Sequence, residues 1–503
     1  MLLITFDSIT PTLARHRRVF FPCVVFLLVG TSAAWNIKTW PTRLRYPGDL
    51  TVIEGMRLAE IIHLREGVPV YAPASARRFD AMIYGPVYYL LASRIVSTNQ
   101  TTYFPLRLLG LLATIGLAGA CALLAYWLTG SLTASAFALL LFFSWRIVSF
   151  YGLTARCDMG AILLSYTGFL LAFRFRDNIR IVWAGPVMLV AFFYKQQFVA
   201  APLAVLAFLL LEKRYRHAAQ FALLMAIGGL TLLLGFQFVA FARQDFFLHF
   251  FSHNILPFSW TLLGDGMLFA TVFFLIPSLL AFQYLRRVPN RLLKVYLSLA
   301  LGLSAVCYAK EGSSLNYFLE PVAILAPLLG GLAVRTLAEG RRMWGVAVLL
   351  GISLIPATRL GTAAPNADDF ARDRAIGTYI RANFRPGTEG MAYFTGRLLR
   401  AGLAAPISDI YQYSWLVCTG RIPEGDWIAQ LESRRFGVIL LSTDLRDEKA
   451  AHRGNEICLS EPIRQTLLQN YRIKDILSPP TAETLFGKEL FVWVPRGTPI
   501  QGR

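Results

Sequence analysis

The sequence predicts an all-α polytopic membrane domain followed by a small C-terminal α/β domain. Hydrophobic residues make up 55% of the 503-residue chain and charged residues only 16%, against about 25% charged residues in soluble proteins. Apolar runs near the length of a bilayer recur through residues 1–356, whereas charges and turn residues return in 357–503. We therefore expect a transmembrane domain over 1–356 and a separate domain over 357–503.

The excess of basic residues sits in short clusters between the apolar segments. The formal net charge is +19, but the Lys and Arg residues form no stripe with interleaved aromatic residues, as nucleic-acid binding would require. Clusters of this kind are typical of the cytoplasmic loops of membrane proteins. We therefore expect membrane lipids as partners and no nucleic acid.

The apolar runs predict about eleven membrane spans, of which the first is Val19–Trp35. With this number, the basic clusters that begin at Arg174, Lys213, Arg286 and Arg341 all fall on the cytoplasmic side. The other predicted spans are 105–128, 132–150, 157–173, 181–194, 198–211, 218–242, 265–285, 295–309, 317–338 and 343–356.

The same number of spans places the N-terminus in the cytoplasm and the C-terminal domain outside, in a protein of the inner (plasma) membrane. The predicted outer loops then hold single cations such as Lys195 and Lys310. Ser32-Ala33-Ala34 fits a signal-peptidase site, so a cleaved signal peptide is the alternative to an uncleaved first span. Both alternatives put the following loop outside.

Residues 36–104 form the first outer loop in this topology. The apolar run Ala81–Val96 contains a Gly-Pro pair and several tyrosines, so we expect an interfacial helix there and not a span. The predicted spans 181–194 and 198–211 are short for a bilayer and are separated by Lys195. They predict a hairpin that holds this lysine inside the membrane slab, where a cation requires a polar cavity.

The tail is predicted to fold as an α/β domain, because short β-rich runs alternate with helical ones. Cys418 and Cys458 would be able to form a disulfide if the tail lies outside the cytoplasm. The predicted helices are Asp368–Asn383 and Trp427–Arg434, and the predicted strands are Met391–Phe394, Phe436–Thr443 and Leu490–Val494.

The first outer loop carries two candidate catalytic acids, Asp49 and Glu54. A carboxylate at the membrane face can act as a general base for an acceptor hydroxyl, or it can hold a metal ion. A divalent-metal cofactor and a metal-free site are therefore both open at this point, and no metal ligands are assigned. The structural alternative for either acid is a solvated loop carboxylate.

Further polar side chains fall on the same predicted outer face. Asp158 is a third candidate catalytic acid, although an acid at a helix N-terminus also stabilises the helix dipole. Lys195 is a candidate contact for an anionic lipid phosphate, with an ordinary snorkelling lysine as the alternative. The candidates for substrate binding are Tyr84, Arg156, Lys195, Asn316, Tyr317 and Glu320.

Two other motifs have plainer explanations. His249 and His253 have the i, i+4 spacing of metal ligands, but they lie among phenylalanines, so we expect an amphipathic interfacial segment. Asn99-Gln100-Thr101 matches the N-glycosylation sequon, which has meaning only in a eukaryotic secretory host.

The order of the motifs resembles the GT-C superfamily of membrane glycosyltransferases. Within it, the chain is similar to the branch of protein O-mannosyltransferases and lipid A aminoarabinose transferases. The resemblance covers about residues 19–340. It rests on the first outer loop (YPGDLTVIEG and EGVPVY) and on the segments YGPVYYLL, RLLGLLATIGLAGA, RCDM, KQQ and NYFLE.

The resemblance implies a GT-C-like fold, a polyprenyl-phosphate sugar donor and an active site on the outer face. It also implies a carboxylate base in the first outer loop, which would be Asp49 or Glu54, with Asp158 as a second acid and Lys195 on the donor phosphate. The Asp-Glu doublet of the family is absent here, because Ile53 precedes Glu54. The choice between the two first-loop acids therefore stays open.

Two other classes of function compete with glycosyl transfer to an extracytoplasmic lipid, glycan or protein. A transporter or flippase for a lipid or sugar also has intramembrane charges and broken helices, but no internal two-fold repeat is visible in this sequence. A membrane scaffold that presents the tail domain is the third alternative.

Overall fold

The structure is a computed structural model that describes residues 11–98, 101–339, 350–351, 364–447, 457–478 and 489–497. A long succession of helices is followed by a four-stranded sheet with flanking helices. The sequon residue Asn99 lies outside the described residues, and so does the predicted span 343–356 apart from residues 350 and 351.

The first part of the chain is helical, because in a bilayer only intrahelical hydrogen bonds can satisfy the backbone of a single spanning segment. Short 3₁₀ segments, Ile179–Trp183 and Leu315–Phe318, precede two of its helices, and π-helical turns occur at Phe236–Ala240 and Leu248–His253. The helices are α1 (Pro11–Lys38), α2 (Trp40–Arg45), α3 (Val52–Arg65), α4 (Pro86–Ile95), α5 (Phe104–Thr129), α6 (Leu132–Ser144), α7 (Arg146–Tyr151), α8 (Asp158–Arg174), α9 (Ala184–Tyr194), α10 (Ala200–Leu211), α11 (Tyr215–Gly235), α12 (Trp260–Arg287), α13 (Arg291–Tyr308) and α14 (Leu319–Glu339).

The helices include several that are long and apolar enough to cross a membrane. Within the described residues these are Phe104–Thr129, Tyr215–Ala240, Trp260–Arg287, Arg291–Tyr308 and Leu315–Thr336. The protein is therefore a multi-pass membrane protein, as the composition predicted. The apolar segments at α6, α9 and α10 are shorter, and the number of eleven spans stays a prediction.

Three segments differ from their predicted form. The span predicted at 132–150 is interrupted at Trp145, which has an extended backbone between α6 and α7. The interfacial helix predicted over Ala81–Val96 begins only at Pro86, because proline is favoured in the first turn of a helix and cannot donate inside one. The hairpin of α9 and α10 has helices of 11 and 12 residues, so its turn carries Lys195 into the protein, where this lysine is 3% exposed.

Helix α14 lies at the centre of the helical part and packs against α5, α6, α12 and α13. Small residues permit this packing, as is usual between membrane helices. A Cβ atom on Gly330 would lie 2.8 Å from the carbonyl oxygen of Ala134 on α6. Any larger residue at position 330 would therefore push α14 away from α6.

The C-terminal part forms a sheet with the strand order β1-β2-β4-β3, in which β1 and β2 are parallel and the other neighbours antiparallel. Its helices are α15 (Ala367–Asn383), α16 (Thr395–Arg400), α17 (Ile410–Cys418), α18 (Glu424–Glu432) and α19 (Glu461–Asn470). Its strands are β1 (Gly390–Ala392), β2 (Val438–Leu441), β3 (Tyr471–Leu477) and β4 (Leu490–Pro495).

The predicted elements of the tail are all found, with β1 and β2 shorter than predicted and β4 extended by one residue to Pro495. The strand predicted over Phe436–Thr443 is β2, and its four residues are buried. Strand β3 was not predicted, because its partly exposed pattern and its charges at Arg472, Lys474 and Asp475 resemble those of a surface segment.

The C-terminal part is bound to the first outer loop through a buried polar cluster. The guanidinium of Arg57 on α3 donates to Asp409 at 2.8 Å and to the hydroxyl of Tyr89 at 2.6 Å, and it lies 2.9 Å from Glu60. Helix α16 packs against α3. These contacts fix the tail against the loop that lies between α1 and α5.

Cys418 at the end of α17 forms a disulfide with Cys458, which closes a loop of 40 residues. Disulfides persist in oxidising compartments and are rare in the cytosol. The bridge therefore agrees with the expectation that the tail lies outside the cytoplasm.

Replacing Arg57 by alanine is expected to destabilise the protein by about 3–5 kcal/mol, because Glu60 and Asp409 would stay buried without the cation that offsets the cost of their desolvation. The measurement is the unfolding midpoint of the purified protein in guanidinium chloride, followed by tryptophan fluorescence. Arg77→Ala, an exposed arginine of the same loop, should change stability by less than about 0.5 kcal/mol. Equal midpoints for both variants would contradict this account.

Candidate active site

Glu54, in the first turn of α3, is fully buried and is held by Arg107 of α5. The Arg107 guanidinium donates to both carboxylate oxygens, at 3.1 Å from Nε to Oε1 and 2.6 Å from Nη2 to Oε2. The backbone N–H groups of Leu50 and Ala155 donate to the same carboxylate, each at 2.7 Å. Both oxygens of Glu54 thus accept two hydrogen bonds each, so this acid is not placed to take a proton from a substrate.

Asp49, the other predicted first-loop acid, has fewer hydrogen-bond partners than Glu54. Its Oδ1 accepts a hydrogen bond from the hydroxyl of Tyr103 at 2.6 Å, whereas Oδ2 has no hydrogen-bond partner within the described part of the chain. Burial raises the pKa of Asp49 to about 6, against the opposing effect of the nearby Arg400 and Arg397. A carboxylate with an unused oxygen and a pKa near neutrality suits a general base.

Three of the predicted site residues converge on Asp158 at the start of α8. Arg156 Nε donates to Asp158 Oδ2 at 2.8 Å, and Asn316 Nδ2 donates to Oδ1 at 2.6 Å. The ammonium group of Lys195 forms an ion pair with Oδ1. All four side chains are buried, and they join the start of α8, the turn between α9 and α10, and the segment before α14.

Lys195 also lies among aromatic rings. Its Nζ is 5.0 Å from the ring centroid of Tyr84 and 5.3 Å from that of Tyr317, distances at which a ring face attracts a cation. Tyr84 comes this close because the adjacent Gly85 packs on the backbone of Phe193, where a Cβ atom would overlap the carbonyl group. The two predicted tyrosines are thus brought to the predicted lysine.

A cavity of about 230 Å³, here called the lysine cavity, lies beside this cluster. Two lysines, Lys195 and Lys310, are among its described lining residues, which include no acid. Lys310 donates to the carbonyl oxygen of Asn254 at 3.1 Å, which orients it. The lining residues are Tyr84, Lys195, Gln196, Gln197, Asn254, Ile255, Cys307, Lys310 and Tyr317.

A cavity of about 670 Å³, here called the large cavity, lies on the other side of the turn at Lys310. Its walls come from α3, from the start of α12, from the turn after α13, and from the C-terminal part. Glu311 is the acidic residue among them, and Tyr393, Tyr411 and Trp415 supply aromatic surface. The other lining residues are Val52, Ile53, Met56, Ser259, Thr261, Leu262, Gly312, Ser313, Ile457, Cys458 and Leu459.

Glu320 is the predicted site residue that stands apart from this arrangement. Its carboxylate accepts a hydrogen bond from the hydroxyl of Tyr296 on α13 at 2.8 Å, inside the helix bundle. It lies one turn beyond Asn316, but no contact among the described residues joins it to Asp158 or to Lys195. Its assignment to substrate binding therefore has no support from the geometry.

Two residues that line the cavities, Lys310 and Glu311, are not predicted as site residues from the sequence, in which Lys310 is a single cation of an outer loop. The signal in the sequence is the Lys-Glu-Gly turn directly after an apolar helix, in which Gly312 has a φ of +74°. Because of this turn, the consecutive residues Lys310 and Glu311 line two different cavities.

The histidine pair shows no metal-binding geometry. The ring of His249 lies 2.9 Å from the carbonyl oxygen of Ala72 and packs edge-on against Tyr71, and the ring of His253 packs against it. Across residues 11–98, 101–339 and the described parts of the tail, no group of three His, Cys, Asp or Glu side chains is placed to hold a metal ion. Both histidines are buried against aromatic side chains of the first outer loop, among them Phe79.

No protein-family model matches the chain, and no curated protein matches it. Two solved structures of ArnT from Cupriavidus metallidurans, one bound to undecaprenyl phosphate and one in the apo state, align with 92% of this chain and 97% of theirs. Each has a TM-score of 0.55 at 12% sequence identity. The oligosaccharyltransferase AglB from Archaeoglobus fulgidus, in complex with an inhibitory peptide and a dolichol-phosphate, has a TM-score of 0.45 at 12% identity and aligns with 86% of this chain and 70% of its own.

The fold and the site together define a multi-pass membrane protein with a polar cluster at one end of its apolar helices. The chain shares the fold of ArnT, which agrees with the GT-C-like fold that its motifs predicted.

The two first-loop acids are expected to differ in their effect on stability. Glu54→Gln leaves the buried Arg107 guanidinium without its counter-charge, at a cost of about 3–5 kcal/mol. Asp49→Asn removes a carboxylate whose pKa is raised on folding, from 3.8 to about 6, so the charged form destabilises the fold at pH 7 by up to about 3 kcal/mol. We expect the Asp49→Asn variant to be at least as stable as the wild type.

The measurement is thermal unfolding of both purified variants at pH 7, with the wild type alongside. The wild type itself should gain stability as the pH falls from 7 through 6, and this gain should be smaller in the Asp49→Asn variant. An Asp49→Asn variant less stable than Glu54→Gln would contradict the assignment.

Proposed function

We propose that this chain is an integral-membrane glycosyltransferase that transfers a sugar from a polyprenyl-phosphate-linked donor to an acceptor outside the cytoplasm. The observation that carries the proposal is the lysine cavity, a space at one end of apolar helices that is lined by two lysines and by no described acid. A polyprenyl-phosphate donor matches this arrangement, because it carries a phosphate at one end of an apolar chain. ArnT from Cupriavidus metallidurans, which shares the fold, was solved bound to undecaprenyl phosphate.

In this proposal Lys195 and Lys310 bind the phosphate of the donor. Negative charge develops on this phosphate as its bond to the sugar breaks, and fixed cations in a water-poor site stabilise such charge. Lys195 can keep its position without substrate because Asp158 pairs with it and Arg156 pairs with Asp158. The Asp158 cluster therefore orients the phosphate-binding cation, and its acid does not itself need to react.

The large cavity supports the proposal as a place for the acceptor. Its volume of about 670 Å³ lies within the roughly 300–1,000 Å³ of typical ligand pockets. Aromatic faces beside a carboxylate suit an acceptor that carries hydroxyl groups. Since Lys310 lines one cavity and the next residue, Glu311, lines the other, donor phosphate and acceptor would meet at this turn.

We assign the general base of the first outer loop to Asp49. The acceptor oxygen bonds to the anomeric carbon of the sugar while its proton passes to the Asp49 carboxylate. The bond between that carbon and the phosphate oxygen breaks, and its electron pair leaves on the phosphate. Glu54 is saturated with hydrogen bonds, whereas Asp49 precedes the helical turn whose Val52 and Ile53 line the large cavity. Glu311 then binds an acceptor hydroxyl.

The membrane orientation belongs to the same proposal. Residues 1–356 form the catalytic domain, with the N-terminus in the cytoplasm of a cell whose inner (plasma) membrane it spans. Residues 357–503 form an extracytoplasmic domain, which the disulfide between Cys418 and Cys458 supports. The tail takes part in the site, because Tyr411 and Trp415 line the large cavity.

The function is tested with purified protein in vesicles and a panel of labelled polyprenyl-phosphate sugars. Wild type should transfer label from one donor of the panel to an acceptor fraction. Lys310→Gln should raise the KM for the donor at least about tenfold, because a charge-assisted hydrogen bond to phosphate is lost. Lys38→Gln, at an exposed lysine at the end of α1, is the control and should leave the KM unchanged.

The same vesicles test the transport alternative. Movement of the labelled lipid across the membrane without any sugar transfer would reject the proposed function. Transfer that is equally efficient in Lys310→Gln and in the control would reject the lysine cavity as the donor site.

The base assignment predicts a pH profile. Because Asp49 must be ionised to accept a proton and its pKa is raised to about 6, the transfer rate should fall as the pH drops through 6. Asp49→Asn should lower kcat by about 10²–10⁴ and abolish this acidic limb. Glu311→Gln should instead raise the KM for the acceptor and keep the limb.

The result that would overturn the assignment is the reverse pattern. If Asp49→Asn keeps full kcat while Glu311→Gln loses both kcat and the acidic limb, the base is Glu311, the carboxylate that lines the large cavity.

A further inference from the structure

A second cation-lined cavity lies in the C-terminal part, where α15 and α16 face the loop before Asp49. Its volume of about 180 Å³ is several times the roughly 30 Å³ share of a liquid water and below the roughly 300–1,000 Å³ of pockets for larger ligands. It fits one small group and not a complete lipid-linked sugar. This space, here called the arginine cavity, is lined by Pro47, Asp373, Arg374, Ile376, Gly377, Arg381, Arg397 and Arg400.

The charges of the arginine cavity do not balance. Four of its described lining residues are arginines and one is an aspartate. Asp373 is already engaged by Arg400, which donates to both of its oxygens at 2.5 and 2.6 Å. The cationic groups of Arg374, Arg381 and Arg397 therefore face the cavity without an acid of its lining to pair with.

The side chain of Arg397 is buried at the arginine cavity and has few partners. It is only 9% exposed and its guanidinium lies over the ring of Phe394 at 4.5 Å. Within the described part of the chain no hydrogen bond reaches this guanidinium. Asp49 is near enough to influence its charge, but no hydrogen bond joins the two. The guanidinium of Arg397 therefore keeps N–H donors that are available to an anion in the cavity.

The walls of the cavity are held in place from both sides. A Cβ atom on Gly48 would lie 2.8 Å from Asp373 Oδ1, and one on Gly396 would lie 2.8 Å from Asp49 Oδ1. The first outer loop and α16 thus approach each other as closely as glycine allows. A group bound in the cavity would contact both parts of the protein at once.

We propose that the arginine cavity is a binding site for a phosphate group. Guanidinium groups match phosphate oxygens in paired hydrogen bonds, and they bind phosphate more specifically than ammonium groups do. Arg374 and Arg381 are exposed and form the entrance, whereas Arg397 is buried and forms the base. The phosphate is carried either by a lipid headgroup or as a free ion, and the proposal does not rest on the proposed sugar transfer.

The test is isothermal titration calorimetry of the full-length protein in detergent at constant ionic strength. One arm titrates inorganic phosphate and the other a short-chain phosphatidic acid, with chloride as the blank. Arg397→Gln should weaken phosphate binding at least about tenfold, and Arg374→Gln about threefold, in proportion to the charge-assisted hydrogen bonds lost. Arg385→Gln, at an exposed arginine outside the cavity lining, is the matched control and should bind as the wild type does.

Each outcome of the titrations either supports or rejects the proposed phosphate site. Saturable binding that is lost in Arg397→Gln but kept in Arg385→Gln supports the site, and tighter binding of phosphatidic acid than of inorganic phosphate identifies the lipid as the source. If Arg397→Gln does not fold, as size-exclusion chromatography would reveal, the exposed-site variant Arg374→Gln decides alone. Absence of saturable binding in the wild type, or equal affinity in all variants, overturns the proposal.

Discussion

The buried guanidinium of Arg107 organises the whole first outer loop. All of its nitrogens donate, to Glu54 and to the carbonyl oxygens of Arg43, Tyr46 and Gly48. One side chain of α5 thereby fixes the end of α2, the chain before Asp49 and the first turn of α3. A buried ion pair of this kind contributes little net stability, because desolvation offsets the attraction, but removing one partner is costly. The ion pair specifies a single conformation of the loop, and the position of Asp49 depends on that conformation.

The balance between burial and hydrogen-bond donors also explains why the acids of the site differ in their proposed roles. Glu54 and Asp158 are each surrounded by donors, so their charges are matched and they act as fixed points for Arg107 and Lys195. Asp49 is buried with fewer donors, and burial therefore raises its pKa to about 6. Opposite environments for neighbouring carboxylates are how a protein separates a structural acid from a reactive one. In the proposed enzyme, Asp49 is reactive because the loop leaves one of its oxygens without a donor.

The sequence predicted the fold class well, because the length of apolar runs and the charge of loops follow directly from the properties of a bilayer. It also predicted the convergence of Arg156, Asp158, Lys195 and Asn316, since each borders an apolar run. It could not rank Asp49 against Glu54, because the difference lies in hydrogen bonds from Tyr103, Arg107 and Ala155, which are distant in sequence. Strand β3 and the walls of the cavities were not predicted for the same reason. Tertiary contacts define them, and local periodicity does not.

The C-terminal part contributes walls to the large cavity and to the arginine cavity. Tyr393, Tyr411 and Trp415 form part of the large cavity, whose opposite wall is the first turn of α3. Arg57 binds Asp409 across the same boundary without exposure to solvent, so separating the two parts would leave buried charges unpaired. That cost holds the two walls together, and it keeps the first outer loop close to α16 beside the arginine cavity. A chain with this arrangement can select its ligands through residues of both parts, while the helices supply the cations at the lysine cavity.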